Sequence, residues 1–234
     1  MMDSKDFITR VIAAEELKNS EKLEAMKFSD FSYFCYGGAR TEALNIIDTS
    51  NGTNFNSMFY NCSNLTIVPK LNTSKGTDFS GMFFSCRSLT SIPDLDTSNG
   101  TIFDSMFYNC SNLTAIPKLN TSNGTNFKNM FQNCSSLTNL VLYNIRKSIT
   151  IGSGTSYGHL LTVDSLVHTI QELCTASSSQ TLTMGSANLN KIANIYCKVI
   201  DGSNEKKTME LCESTDEGAM TLTAYAALKN WNLA

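Results

Sequence analysis

Four glycines, Gly52, Gly76, Gly100 and Gly124, stand 24 residues apart, and Phe55, Phe79, Phe103 and Phe127 keep the same interval. Met58, Met82, Met106 and Met130 follow in phase, then Cys62, Cys86, Cys110 and Cys134, then Leu65-Thr66, Leu89-Thr90, Leu113-Thr114 and Leu137-Thr138. A period of this length constrains the fold more than any composition does. One unit is too short to bury its own apolar face, so neighbours must stack and position-matched residues must line up in columns. A degenerate leading copy is legible upstream, where Phe31, Tyr36 and Ile47 fall on Phe55, Tyr60 and Leu71. Downstream, Asn144 and Leu161-Thr162 keep the phase while Gly154 and Gly158 replace Met and Cys, so regular stacking ends near residue 150.

Each unit reads as strand, turn and short helix. In Leu89 to Leu95, the apolar Leu89, Ile92 and Leu95 face inward around a short strand, with Pro93 where the ladder ends. Asp96 to Gly100 is dense in turn formers, and Asp48, Asn72, Asp96, Asn120 and Asn144 form a column suited to a turn that binds its own backbone. Thr101 stands as an N-cap, and Phe103, Met106, Phe107 and Cys110 then have the i, i+3, i+4, i+7 spacing of one helical face. The fold expected is an α/β solenoid of short parallel strands and short helices over 31–150. A helical N-terminal cap occupies 1–30, with helices at 5–18 and 20–26. A mixed α/β cap or head occupies 151–234. In that last part the pattern predicts a loop at 151–158, a helix from its cap Thr162 to Leu173, a polar linker at 176–180 and a strand over Thr181–Met184. A helix over Ala187–Ile195, a hairpin from Tyr196 to Cys212 turning at Asp201-Gly202-Ser203-Asn204, and a helix over Thr223–Trp231 complete it.

Composition removes several functions. The net charge of −3 offers no basic footprint for nucleic acid, and 41% hydrophobic residues is too many for disorder. Eight cysteines suggest disulfides or metal until their spacing is read: four form a column on the buried face, where a thiol packs as a small hydrophobe, and none has C-x-x-C spacing. Cys35, Cys174, Cys197 and Cys212 lie outside that column. His159 and His168 are the only imidazoles, neither beside a nucleophile motif or a metal-spaced partner, and Gly152-x-Gly154 lacks the rest of a phosphate-binding loop. The chain is therefore expected to hold no metal or cofactor and to have no catalytic residue. No apolar run is long enough to cross a bilayer, and the N-terminus is not a signal peptide, so action in the producing cell or export within a virus particle is expected.

Two columns are candidate binding surfaces. Tyr36, Tyr60, Phe84 and Tyr108, ending in Gln132, point away from the buried face if the segment is helical, and exposed aromatics mark protein or glycan contacts. The competing reading is a ladder that stacks on itself, or a non-helical turn that buries the rings. Lys70, Asp94 and Lys118 alternate in sign beside the small polar Thr66, Thr90 and Thr114, as a concave recognition face would. Their competing role is cross-strand pairing that holds register.

The strings Asn61-Cys62-Ser63-Asn64-Leu65-Thr66, Phe103 through Thr114 and Asp96-Thr97-Ser98-Asn99 resemble the BspA-like class of bacterial leucine-rich repeats, over about residues 44 to 143. That resemblance implies a binding module rather than an enzyme, similar to surface and adhesion proteins. Thr181 to Ser186, Cys212 to Met220 and Lys229-Asn230-Trp231 resemble tails that follow such repeats in gut-phage and prophage proteins. Together they imply a virion-associated or prophage-encoded protein that recognises a host-surface protein or glycan, or a neighbouring virion protein, and resides in the virion or in the host cytoplasm before assembly. A bacterial cell-surface adhesin is the alternative.

Overall fold

The structure, a computed structural model, describes residues 28–38, 48–151, 161–173, 180–193, 195–201, 208–212, 215–216, 219–229 and 231–233. The helices expected at 5–18 and 20–26, most of the 151–158 loop, residues 176–179 of the 176–180 linker and residues 202–204 of the 201–204 turn lie outside these residues, while Gln180 and Asp201 belong to strands.

The segment that the spacing predicts as a two-turn helix is a chain of tight turns in the described coils. Along 55–62 the backbone alternates. The N–H groups of Phe55, Ser57, Phe59 and Asn61 leave the coil and donate to the carbonyls of Asp78, Ser80, Met82 and Phe84 in the next, each at 2.8 Å. Those of Met58, Tyr60 and Cys62 turn back onto Phe55, Ser57 and Phe59 at 3.2, 3.0 and 3.1 Å. Two left-handed residues per coil make this path: Ser57 (φ 54°) and Asn61 (φ 59°), repeated at Gly81 and Ser85, Ser105 and Asn109, and Asn129 and Asn133. A left-handed L-residue costs roughly 1–2 kcal/mol, least for Asn and absent for Gly. The return is that half the N–H groups join coils instead of closing locally. A two-turn helix is marginal by itself, so the inter-coil ladder wins, while the apolar i, i+3, i+4, i+7 positions still point inward.

Among the described residues of the repeats, regular strand pairing is confined to the last coils. β1 (Ala115–Asn120) pairs in parallel with β2 (Asn139–Tyr143), with a register shift between Ile116 and Lys118. Upstream, single parallel bridges join Asp30 to Asn54, Asn54 to Asp78 and Asp78 to Ile102, and Ser91 to Ala115. Pro69, Pro93 and Pro117 share one column, and in the next coil Val141 supplies an N–H at that place. A ladder therefore forms where the proline column ends, and its shift falls at Pro117.

Inside, the columns are physical stacks. Phe31, Phe55, Phe79, Phe103 and Phe127 lie with ring centroids 5.4–5.7 Å apart. Phe59, Phe83, Phe107 and Phe131 stack at 5.3–5.9 Å, with Cys35 in the preceding place. The glycine column follows from the first stack: a Cβ on Gly52, Gly76 or Gly100 would lie 2.4 Å from the Cζ of the Phe three residues on, a clash a well-packed core cannot absorb. Thr49, Thr73, Thr97 and Thr121 are buried, and their hydroxyls donate to Asn72, Asp96, Asn120 and Tyr143 carbonyls at 2.8–3.0 Å. The turn column behaves as expected: Asp48, Asn72, Asp96 and Asn120 accept from the N–H two residues on at 2.8–3.2 Å.

The repeat phase runs into the C-terminal part. Thr114 donates through its N–H to Thr90, Thr138 to Thr114 and Thr162 to Thr138, at 2.8–3.0 Å. Thr162 then caps α1 (Val163–Gln171), its hydroxyl accepting from Ser165 N–H at 3.2 Å. β3 (Ile149–Thr150), β4 (Gln180–Thr183) and β8 (Trp231–Leu233) form a parallel sheet, with α2 (Gly185–Ile192) after β4. β5 (Tyr196–Asp201) pairs antiparallel with β6 (Thr208–Cys212) and β7 (Met220–Thr221). α3 (Leu222–Leu228) stops short of the predicted Trp231, which enters β8 because β4 offers it a free edge. Lys229 is fully buried and donates to the Gln171 and Leu173 carbonyls at 3.1 and 2.8 Å, placing a cation at the C-terminus of α1.

Candidate functional site

The turn chain that replaces the expected helix carries the aromatic column on its outer side. Tyr36, Tyr60, Phe84 and Tyr108 stack with centroid spacings of 5.5, 4.4 and 4.7 Å and interplanar angles of 3–6°. Tyr36 is 51% exposed, the other three are partly exposed, and Gln132 continues the line. Both sequence readings are present in one arrangement. The rings stack on themselves, yet they remain at the surface. Their faces cover one another, so the strip offers solvent its ring edges and phenols. Among the described residues, the phenol oxygens of Tyr36, Tyr60 and Tyr108 accept or donate no hydrogen bond and are not buried.

Neutral polar groups flank the strip. Asn61, Ser85, Asn109 and Asn133 form the adjoining column. With its amide oxygen turned toward Arg87, Asn109 accepts from Arg87 Nε and Nη2 at 3.3 and 3.0 Å and from Ser85 Oγ at 3.1 Å. Tyr33, 48% exposed and 6.1 Å from Tyr36, extends the aromatic surface. Sequence reading missed Tyr33 and Arg87 because both interrupt their columns: Tyr33 falls on Ser57, and Arg87 on Ser63 and Ser111.

The charged strip differs from the pairing expected of it. Lys70, Asp94 and Lys118 are exposed, and among the described residues no ion pair joins them. Lys70 and Asp94 line an open groove of about 610 Å³ with Asp48, Asn72, Ser74 and Asp96, whereas the Lys118 ammonium lies 4.9 Å over the Tyr143 ring. Exposed pairs gain too little in water to hold two long side chains together, so solvation prevails. Hydrogen bonds from the Ser98 side chain and N–H, at 2.6 and 3.0 Å, hold the Asp96 carboxyl below the usual carboxylate range. Thr66, Thr90 and Thr114 are exposed, Thr66 in a separate groove with Gly38, Asn64 and Ile67, and the Thr114 hydroxyl donates to the Thr90 carbonyl at 3.0 Å, so its polar group already serves the ladder.

A family model described as "Mycoplasma protein of unknown function, DUF285" matches residues 26–145, just over half of the chain. The chain belongs to this DUF285 family. No curated protein and no solved structure matches it. The family accords with a BspA-like repeat protein, and its matched segment contains both candidate strips and the coils that carry them.

The DUF285 segment ends at Ile145, so His168 lies beyond it, in α1. Its imidazole meets the Tyr143 ring edge-on at 4.9 Å, and Nε2 is buried without a hydrogen-bond partner among the described residues. Neither the Lys70 groove nor the one near Thr125 and Thr150 is lined by it. His159 lies outside the described residues.

Proposed function

We propose that this protein is a non-enzymatic recognition module of the BspA-like class, its 24-residue coils stacking as a leucine-rich-repeat solenoid and its outer aromatic column meeting a surface ligand. The observation that carries the reading is the stacked strip Tyr36, Tyr60, Phe84 and Tyr108, left partly open in a chain whose other phenylalanine columns are buried. Aromatic rings kept at the surface cost hydration and mark contact sites. The family's description names a bacterium, which supports a cell-surface adhesin. The phage-like strings of the C-terminal third support a second reading, a virion-associated or prophage-encoded protein that binds a host-surface protein or glycan or a neighbouring virion protein. Mass spectrometry of the envelope fraction against purified particles separates the two locations.

The binding role is tested with the doubly substituted Tyr36→Ser, Tyr108→Ser protein, labelled and incubated with intact host cells. Each substitution removes a ring at one end of the stack, with a cost of about 0.5–1.5 kcal/mol per lost ring pair. The expected outcome is a protein with a slightly lowered melting temperature and strongly reduced cell retention. Undiminished retention would overturn the role given to the strip.

A further inference from the structure

The dimensions of the strip select among ligands, and this inference rests on reading the strip as the recognition surface. A fully buried aromatic side chain removes about 150–250 Å² from water. Three of these four rings are already partly covered, so the strip offers at most a few hundred Å². A stable protein interface needs about 800 Å² per partner. A slender chain lying along the column fits that area; a globular surface needs more contact than the strip supplies.

Among slender chains, spacing and charge discriminate further. An extended polypeptide advances about 3.3 Å per residue and places same-face side chains about 6.7 Å apart, both out of step with rings 4.4–5.5 Å apart. A single-stranded nucleic acid binds by stacking bases on open ring faces within a basic groove. Here the ring faces within the stack are occupied by neighbouring rings, and the flanking column, Asn61, Ser85, Asn109 and Asn133, is uncharged; the Arg87 guanidinium held against Asn109 adds one cation, not a basic groove. Successive sugars of an extended β-1,4-linked glycan turn alternate edges to one side, but both edges carry hydroxyls, so every sugar meets the track, and the rise per sugar falls within the range of the ring spacings. One sugar then sits over each coil. Its rim packs on the ring edges, and its hydroxyls meet the unpaired phenols of Tyr36, Tyr60 and Tyr108 and the exposed Asn61 amide beside them. We propose that the column Tyr36, Tyr60, Phe84 and Tyr108 is a binding track for a linear, uncharged β-1,4-linked polysaccharide, running along the coil axis with one sugar per coil.

The test is calorimetric titration of the full chain with fully N-acetylated, uncharged chito-oligosaccharides of two to six sugars, with maltohexaose as the control, since its α-1,4 linkage coils the chain away from this spacing. Affinity is expected to climb with length to about four sugars, the number of rings, and then level off, with maltohexaose inert. Tyr60→Phe keeps the ring stack and removes one phenol; it is expected to weaken hexamer binding about threefold to tenfold, the worth of one hydrogen bond, at unchanged melting temperature. Absence of chito-oligosaccharide binding, affinity independent of length, equal affinity for maltohexaose, or indifference to Tyr60→Phe would each overturn the proposal. If the sugars fail while Tyr36→Ser, Tyr108→Ser still reduces cell retention, the ligand class is wrong and the recognition role stands. If retention is also unchanged, both fall.

Discussion

Each thiol of the buried cysteine column has a specific partner: Cys62, Cys86, Cys110 and Cys134 donate through Sγ to the carbonyls of Cys35, Phe59, Phe83 and Phe107 at 2.7–3.1 Å. The four are free thiols with no exposed surface. Burial pushes the Cys134 thiol up to about 12, and burial followed by the charge of a Cys134 thiolate pushes Cys110 well above its ordinary value. A thiol whose folded value exceeds its unfolded one stabilises the fold fully below the unfolded value. As pH rises past about 9 the unfolded chain loses the proton first, so stability falls until the folded value is passed. For Cys134 the expected loss is up to about 1.4 kcal/mol per pH unit between pH 9 and about 12. Urea midpoints at pH 8 and pH 11 measure it, and Cys134→Ala should make the alkaline fall shallower. An equally steep fall in that variant would assign the loss to other groups.

At the scale of elements, the cap helix and the turn chain show two ways in which one pattern resolves. The Thr162 cap was legible from its place before a periodic apolar run, and α1 begins where that signal put it. Thr162 also extends the threonine ladder to Thr138, so its side chain caps the helix while its backbone closes the array. Thr162→Ala removes the side-chain cap and keeps the N–H, so a loss of about 1 kcal/mol in unfolding free energy is expected by chemical denaturation. A change below a few tenths would show that the ladder bond alone sets the helix start. The Phe55 to Cys62 segment had an equally good helical pattern and became turns instead. Apolar spacing reports which side chains are inward; it does not report whether an N–H bonds within its coil or to the next. The outward place of Tyr60 came from helical geometry, and a different backbone supplied the same result.

For the whole molecule, stability is spread along contacts between neighbouring coils, since the hydrogen-bond and ring columns link each unit to the next. Deleting residues 76–99 removes one full period and leaves Gly52 in phase with Gly100 and Phe55 with Phe103. The shortened chain is expected to fold with a reduced urea dependence of its unfolding energy, in proportion to the surface lost, and a lower melting temperature. Deleting 76–87 puts the columns before the cut half a period out of phase with those after it and should break unfolding into less cooperative parts; an equally cooperative transition would show that the columns are not what holds the coils together.

The sequence by itself determined the period, the inward columns, the glycine and Asx positions and the first helix of the C-terminal part. Each of these is decided by side-chain size, polarity or a bond to a residue two or three places away. Only the tertiary structure decided that Phe55 to Cys62 is a turn chain, that among the described repeats a strand ladder forms where Pro gives way to Val141, that Lys70, Asp94 and Lys118 stay apart, and that Trp231 joins a sheet edge instead of the expected helix. Those outcomes depend on where an N–H finds its acceptor once another coil or strand lies alongside. That acceptor is about one full turn of the array away in sequence, beyond the reach of any local pattern.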